Sequence, residues 1–112
     1  MSKKINSQAL TRYNSIIASI SNNAVENTEG ASLELGLIKY RFGLSTLKDR
    51  NVHVFLDDDE TAIIDIYVSV DYGYRVPEVV CALQERIKRD VEEGTRFKVK
   101  KINVHVSNIN LI

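Results

Sequence analysis

The 112-residue chain has no tryptophan, one proline, one cysteine, and no excess of either charge: 15 Lys and Arg stand against 15 Asp and Glu. Each absence excludes something. A lone Cys81 closes no internal disulfide, so the fold rests on its packed core, and such cysteine usage fits a reducing, cytoplasmic home. Zero net charge removes the electrostatic footprint of a general nucleic-acid binder. No stretch approaches the ~18 apolar residues that a spanning helix requires, so direct membrane insertion is not expected. The start, Met1-Ser2-Lys3-Lys4-Ile5-Asn6, is basic but leads into no apolar segment of the kind a secretory signal carries. Glycines at 30, 36, 43, 73 and 94 are too dispersed for a dinucleotide fingerprint, a Walker loop or the G-x-x-G clamp of a KH domain. What is present is an ordinary globular composition, 44% hydrophobic and 27% charged. A chain of this length buries roughly two thirds of its unfolded surface, so one domain over 1–112 is expected without a metal or disulfide.

The hydrophobic pattern supplies the elements. Leu10, Tyr13, Ile17, Ile20 and Ala24 recur at steps of three and four, which predicts a helix from Ser7 to about Asn27 with Ser7 as N-cap and Gly30 past its end. Ala31 to Leu35 alternates as a short strand, whereas 36–49 has no clear period and reads as a loop. Val52, Val54 and Leu56 alternate with His53, Phe55 and Asp57; Ile64, Ile66, Val68 and Val70 alternate with Asp65, Tyr67 and Ser69. A three-residue turn, Asp58-Asp59-Glu60, lets both apolar sets share one face of a hairpin. Val54 then opposes Ile64, Val52 opposes Ile66, Phe55 opposes Ile63 and His53 opposes Asp65. Pro77 fits the first turn of a second helix, where no N–H is needed. Val76, Val80, Leu83, Ile87 and Val91 form its stripe, Glu85 and Arg89 an i,i+4 pair, and Gly94 its end. In the last strand, Phe97 to about Val106, the apolar parity switches at Lys100-Lys101, which predicts a β-bulge. The order α-β-β-β-α-β, with two amphipathic helices to cover, predicts an α+β two-layer sandwich: both helices on one face of a mixed sheet.

Few residues carry chemistry. His53 and His105 fall on the sheet face turned from the helices, where Asp65 could join them, but no metal-ligand spacing such as H-E-x-x-H or C-x-x-C supports an ion. Cys81 has no partner in any familiar triad signature and reads as an ordinary helix thiol. Asp57 to Glu60 lacks the alternating ligands and central Gly of a calcium loop and reads as a solvated hairpin tip. Arg86, Lys88 and Arg89 are interleaved with acids. Arg96, Lys98, Lys100 and Lys101 are the one basic run, and they motivate an alternative reading as a small nucleic-acid-binding α/β module. No catalytic, metal or cofactor residues are assigned, and no enzyme is expected.

From about residue 50 the order of features resembles the alkaline shock protein family, the Gls-type envelope stress response proteins of Gram-positive bacteria. The resemblance is carried by Val52-His53-Val54, Ile64-Asp65-Ile66-Tyr67-Val68, Asp71-Tyr72-Gly73, Val76-Pro77-Glu78-Val79, Gln84-Glu85, and the closing Ile102-Asn103-Val104-His105-Val106. Gly94-Thr95 departs from the Thr-Gly usual after the second helix. The resemblance implies a non-enzymatic cytoplasmic protein of cell-envelope homeostasis that in some members is held at the membrane by an integral membrane partner. No catalytic residues and no cofactor come with it. Gly73 is expected to supply a positive φ at the strand-to-helix turn, and Tyr72 to cap the core with its hydroxyl in water.

The residues themselves point to an interaction surface. With the hairpin parity above, Phe55, Ile63 and Tyr67 share the outer sheet face with His53 and Asp65, more apolar area than a purely solvated face requires. Those five residues are the candidate face for self-association or for docking a protein partner. The competing reading is that the 36–49 loop or the tail Ile109-Asn110-Leu111-Ile112 covers them.

Overall fold

The computed structural model describes residues 7–33 and 51–111. Glu34, Leu35, the 36–49 loop and Ile112 lie outside the described residues. The elements are α1 (Ser7–Glu26), β1 (Ala31–Leu33), β2 (Val52–Leu56), β3 (Thr61–Asp71), α2 (Val76–Gly94) and β4 (Lys98–Asn110), in the expected order. β3 is the centre of a mixed sheet: β2 pairs antiparallel with its first half and β1 with its last residues, while β4 runs parallel along its other edge. A strand–helix–strand connection through α2 requires that parallel pairing. α1 packs over β1 and β2, α2 over β4, and the helices pack on each other, so both cover the same face.

The core lies between the layers. Ala62, Ile64, Ile66, Val68 and Val70 of β3 are fully buried beneath Ile17, Ala24 and Val25 of α1 and Leu83, Ile87 and Val91 of α2. Period-two alternation in the strand and period-four spacing in the helix produce this directly. The helical stripes are rotated slightly from the expected ones. In α2 the buried row is Val79, Leu83, Ile87 and Val91, with Val76 and Val80 half-buried at its margin. In α1 it is Ile17, Ala18, Ser21, Ala24 and Val25, with Leu10, Tyr13 and Ile20 beside it. Ser21 and Thr28 enter the apolar layer because their hydroxyls donate back to the carbonyls of Ile17 and Ala24, at 2.8 and 2.7 Å.

The hairpin register is the expected one at all four pairs. Its turn closes through Glu60 N–H to the Asp57 carbonyl (3.2 Å) and Asp57 N–H to the Thr61 carbonyl (3.0 Å), with Glu60 at φ +66°. A type I turn followed by a left-handed residue is the usual three-residue hairpin, and the left-handed position ordinarily favours glycine. Glu60 occupies it with a bidentate ion pair to Arg96, 2.7 and 3.0 Å, that ties the hairpin to the start of β4. The bulge falls at Lys100, since Ala62 pairs with Val99 and Ile63 with Lys101. A second one at Ser107 was not expected, and β4 continues to Asn110.

Four local expectations are corrected. Ser7 opens α1 as its first residue and does not precede it. Gly94 ends α2 without a positive φ. Thr95 caps the helix, its N–H and hydroxyl both reaching the Val91 carbonyl, and Gly94 instead leaves room for Ile20 of α1, whose Cδ1 would lie 3.4 Å from an added Cβ. Glu85 and Arg89 do not pair: Arg89 meets Asp90 at 3.3 Å, and Glu85 accepts the Cys81 S–H. Gly73 has its expected positive φ, but Tyr72 is 72% exposed and caps nothing. The neighbouring Tyr74 turns in instead, laying its ring on Gly30 and donating its hydroxyl to Glu29 at 2.9 Å.

Candidate interaction face

Because the even-numbered residues of β3 are committed to the core, its odd-numbered residues Ile63, Asp65 and Tyr67 stand on the outer face. Pairing with β2 places Phe55 beside Ile63 and His53 beside Asp65; pairing with β4 adds Lys101, Asn103 and His105 opposite Ile63, Asp65 and Tyr67. The five expected residues therefore come together on one face. Sequence reasoning placed His105 on this face but missed Lys101 and Asn103. The signal was available only in part: a helix between two strands of one sheet points to a parallel direction, but not to which strand β4 pairs with.

The face is ordered by its own contacts. Tyr67 stacks on His105 with ring centroids 4.5 Å apart and planes 18° from parallel, and His53 meets Tyr67 edge-on at 6.2 Å. Asp65 Oδ1 accepts a 2.6 Å hydrogen bond from Asn103 Nδ2 and lies 3.9 Å from His105 Nε2. Phe55 is 57% exposed and Tyr67 39%; Ile63, half-buried, lies beside Phe55, and the His53–Asp65 pair separates it from Tyr67. Side chains already held by neighbours lose little rotamer freedom when a partner covers them, which lowers the cost of binding there. Among the described residues the tail does not fold over this face: Ile109 and Asn110 extend β4, and Asn110 Nδ2 donates to Asp71 Oδ1 (3.0 Å) and Ser32 Oγ (3.1 Å) at the far end of the sheet. The outer face at that end carries Ser32, Asp71 and Asn110, although Ile109 and Leu111 are exposed beside it.

The other candidates are placed as follows. His53, Asp65 and His105 share the face, but among the described residues no group of three or more His, Cys, Asp or Glu side chains is arranged to hold a metal ion. Cys81 is exposed on α2, and the hydrogen bond to Glu85, reinforced by its negative charge, pushes the thiol above its ordinary pKa. A thiol shifted that way is a poorer nucleophile near neutrality. Asp57, Asp58 and Asp59 are solvent-exposed at the hairpin tip. Among the described residues no helix is long and apolar enough to cross a membrane.

The fold and face together define a small two-layer α+β protein with an open, aromatic-bearing sheet surface. The family comparison narrows this: residues 2–111 match the alkaline shock protein 23 family, described as having a cell envelope-related function, and the chain belongs to that family. Among curated relatives, an uncharacterized protein of Streptococcus pyogenes serotype M6, Spy1535, is 30% identical over 60 residues, covering 54% of this chain and 46% of that protein. The uncharacterized protein YqhY of Bacillus subtilis is 33% identical over 60 residues, covering 54% and 44%. The chain thus spans less than half the length of the curated relatives it matches. No solved structure gives a significant match.

Proposed function

We propose that this protein is a non-enzymatic interaction module of the cell envelope system, acting from the cytoplasmic side by self-association or by docking to a membrane-anchored protein partner. One observation carries the reading: exposed Phe55 pairs with Ile63 on the outer sheet face, and the aromatic Tyr67 stands on the same face just beyond the His53–Asp65 pair. Exposed apolar and aromatic side chains interleaved with polar groups that already hold one another in place are suited to a protein-binding surface. Family membership supports the envelope-related role, and the choice between a second copy and a different partner belongs to the proposal.

The test is Phe55→Ser combined with Tyr67→Ser. Both positions are exposed, so the variant should fold with a near-normal circular dichroism spectrum while losing self-association in sedimentation velocity or partner capture in a pull-down from the native host. A folded variant with unchanged sedimentation and unchanged capture would rule the face out. Gross unfolding would show that the patch belongs to the core.

A further inference from the structure

On the flank of the sheet across β3 from β2, a groove of about 330 Å³ runs between α2 and β4. It is lined by Val99 and Ile102 of the strand and by Lys88, Lys100 and Lys101, against Glu85, which accepts the Cys81 S–H, and Glu92 stands beside it on the Val99 N–H. The Lys100 bulge is the cause of this crowding, because the extra residue sets two lysines consecutively along the rim. A chain with no net charge thus concentrates positive charge beside one edge of its sheet.

That edge is only partly taken up. β3 takes one side of β4, and among the described residues no other strand pairs with it. Lys98 directs its N–H to the Glu60 carbonyl on the β3 side, so Val99 faces the other way, and there its N–H donates to Glu92 at 2.8 Å. The Ile102 carbonyl accepts from Gln84 at 3.1 Å in the same direction. α2 therefore holds two of the outward backbone groups with side chains, and by the two-residue period Val104 and Val106 turn their backbone groups to the same edge.

We propose that this groove binds an extended, acidic segment of a protein partner, which adds as a strand along β4 while its carboxylates meet Lys88, Lys100 and Lys101. Strand addition supplies main-chain hydrogen bonds and alternate side-chain contacts, and the lysines supply charge complementarity. Lys101, paired with Ile63, is where this groove meets the Phe55 face, and the two proposals are told apart because they are tested at different positions. Edge lysines also serve in proteins simply to repel other strands, and the experiment separates the two roles.

The probe is a fluorescein-labelled, capped seven-residue peptide alternating Glu with Val and Thr, titrated with the full-length protein at low salt and read by anisotropy. Saturable binding is expected, weakened about tenfold by Lys100→Glu with Lys101→Glu and less by the corresponding Gln pair, because exposed charge pairs each contribute modestly. Phe55→Ser should leave it unchanged. A peptide of the same charge with Pro at alternate positions cannot donate to the edge and should bind far more weakly. No saturation up to about 1 mM peptide, equal binding of the Pro peptide, or unchanged binding by the Lys100/Lys101 variants would each overturn the proposal. So would tighter, lysine-dependent binding to phosphatidylglycerol vesicles or to a single-stranded oligonucleotide, which would assign the groove another occupant.

Discussion

Substituting Gly30 by Ala should be among the most damaging small changes available in this molecule. Gly30 joins the end of α1 to β1 at φ +87°, and its carbonyl accepts the Asp71 N–H at 2.8 Å, which docks that turn on the end of β3. An added Cβ would lie 2.7 Å from Cγ and Cδ1 of Tyr74. Two costs follow. Holding an L-residue in the left-handed region costs roughly 1–2 kcal/mol. Forcing a methyl into an occupied site costs roughly 1–3 kcal/mol, toward the low end here because the Tyr74 ring is at the surface and can withdraw. The sum is about 2–4 kcal/mol. Gly73 is the internal control: its φ is +98°, but an added Cβ meets nothing within 4 Å, so Gly73→Ala should show the backbone cost of roughly 1–2 kcal/mol alone. Urea melts with a common m-value provide the assay. In a Tyr74→Ala background the cost of Gly30→Ala should fall to that of Gly73→Ala. Equal costs for the two glycines, or an undiminished cost without the ring, would refute the reasoning.

The remaining expectations are more direct. Leu83 is fully buried in the centre of α2, and Leu83→Ala should cost about 2–5 kcal/mol in urea melts; a loss under about 1 kcal/mol would mean that the helix presents a different face. The hydrogen bonds from Arg96 hold the Glu60 carboxyl below the usual glutamate range. Its contribution is therefore present above its unfolded pKa and is lost as pH falls through the lower native one, so Glu60→Gln should flatten the decline in melting temperature from about pH 5 to about pH 3. An unaltered acid limb would show that the pair does not matter to stability. Tyr74 runs the other way: Glu29 raises its hydroxyl above the ordinary tyrosine value, so its contribution holds below the unfolded pKa and is lost as alkaline pH rises through the native one. Tyr74→Phe should remove that alkaline sensitivity in melts above about pH 10, and its persistence would refute the assignment.

Much of the face was legible because the hairpin strands keep strict alternation. Val52, Val54, Ile64 and Ile66 can share a face only in one register, and that register carries Phe55 and His53 to Ile63 and Asp65. The Lys100 bulge was legible for the same reason: Val99 and Ile102 differ in parity, and an extra residue restores it. Val106 and Ile109 show the same break at Ser107, but the polar Ser107-Asn108 pair reads as the end of a strand. The α2 stripe was offset because Val79 and Val80 are adjacent and equally apolar, so only packing against β4 and α1 decides which turns in. Tyr72 and Tyr74 flank Gly73 symmetrically in sequence. Which ring reaches Gly30 depends on the positive φ between them, a tertiary fact that no local pattern encodes.

The central claim, that the outer sheet face is where this protein engages its partner, is tested most directly by placing a photo-crosslinking phenylalanine analogue at Phe55 and, separately, at Tyr72, and irradiating the native host. Both positions are well exposed, but Tyr72 stands in the turn between β3 and α2 and Phe55 stands on the patch. The account predicts discrete adducts from position 55, to a second copy or to a membrane protein, and little from position 72. Equal labelling from the two sites, or adducts from 72 alone, would contradict it.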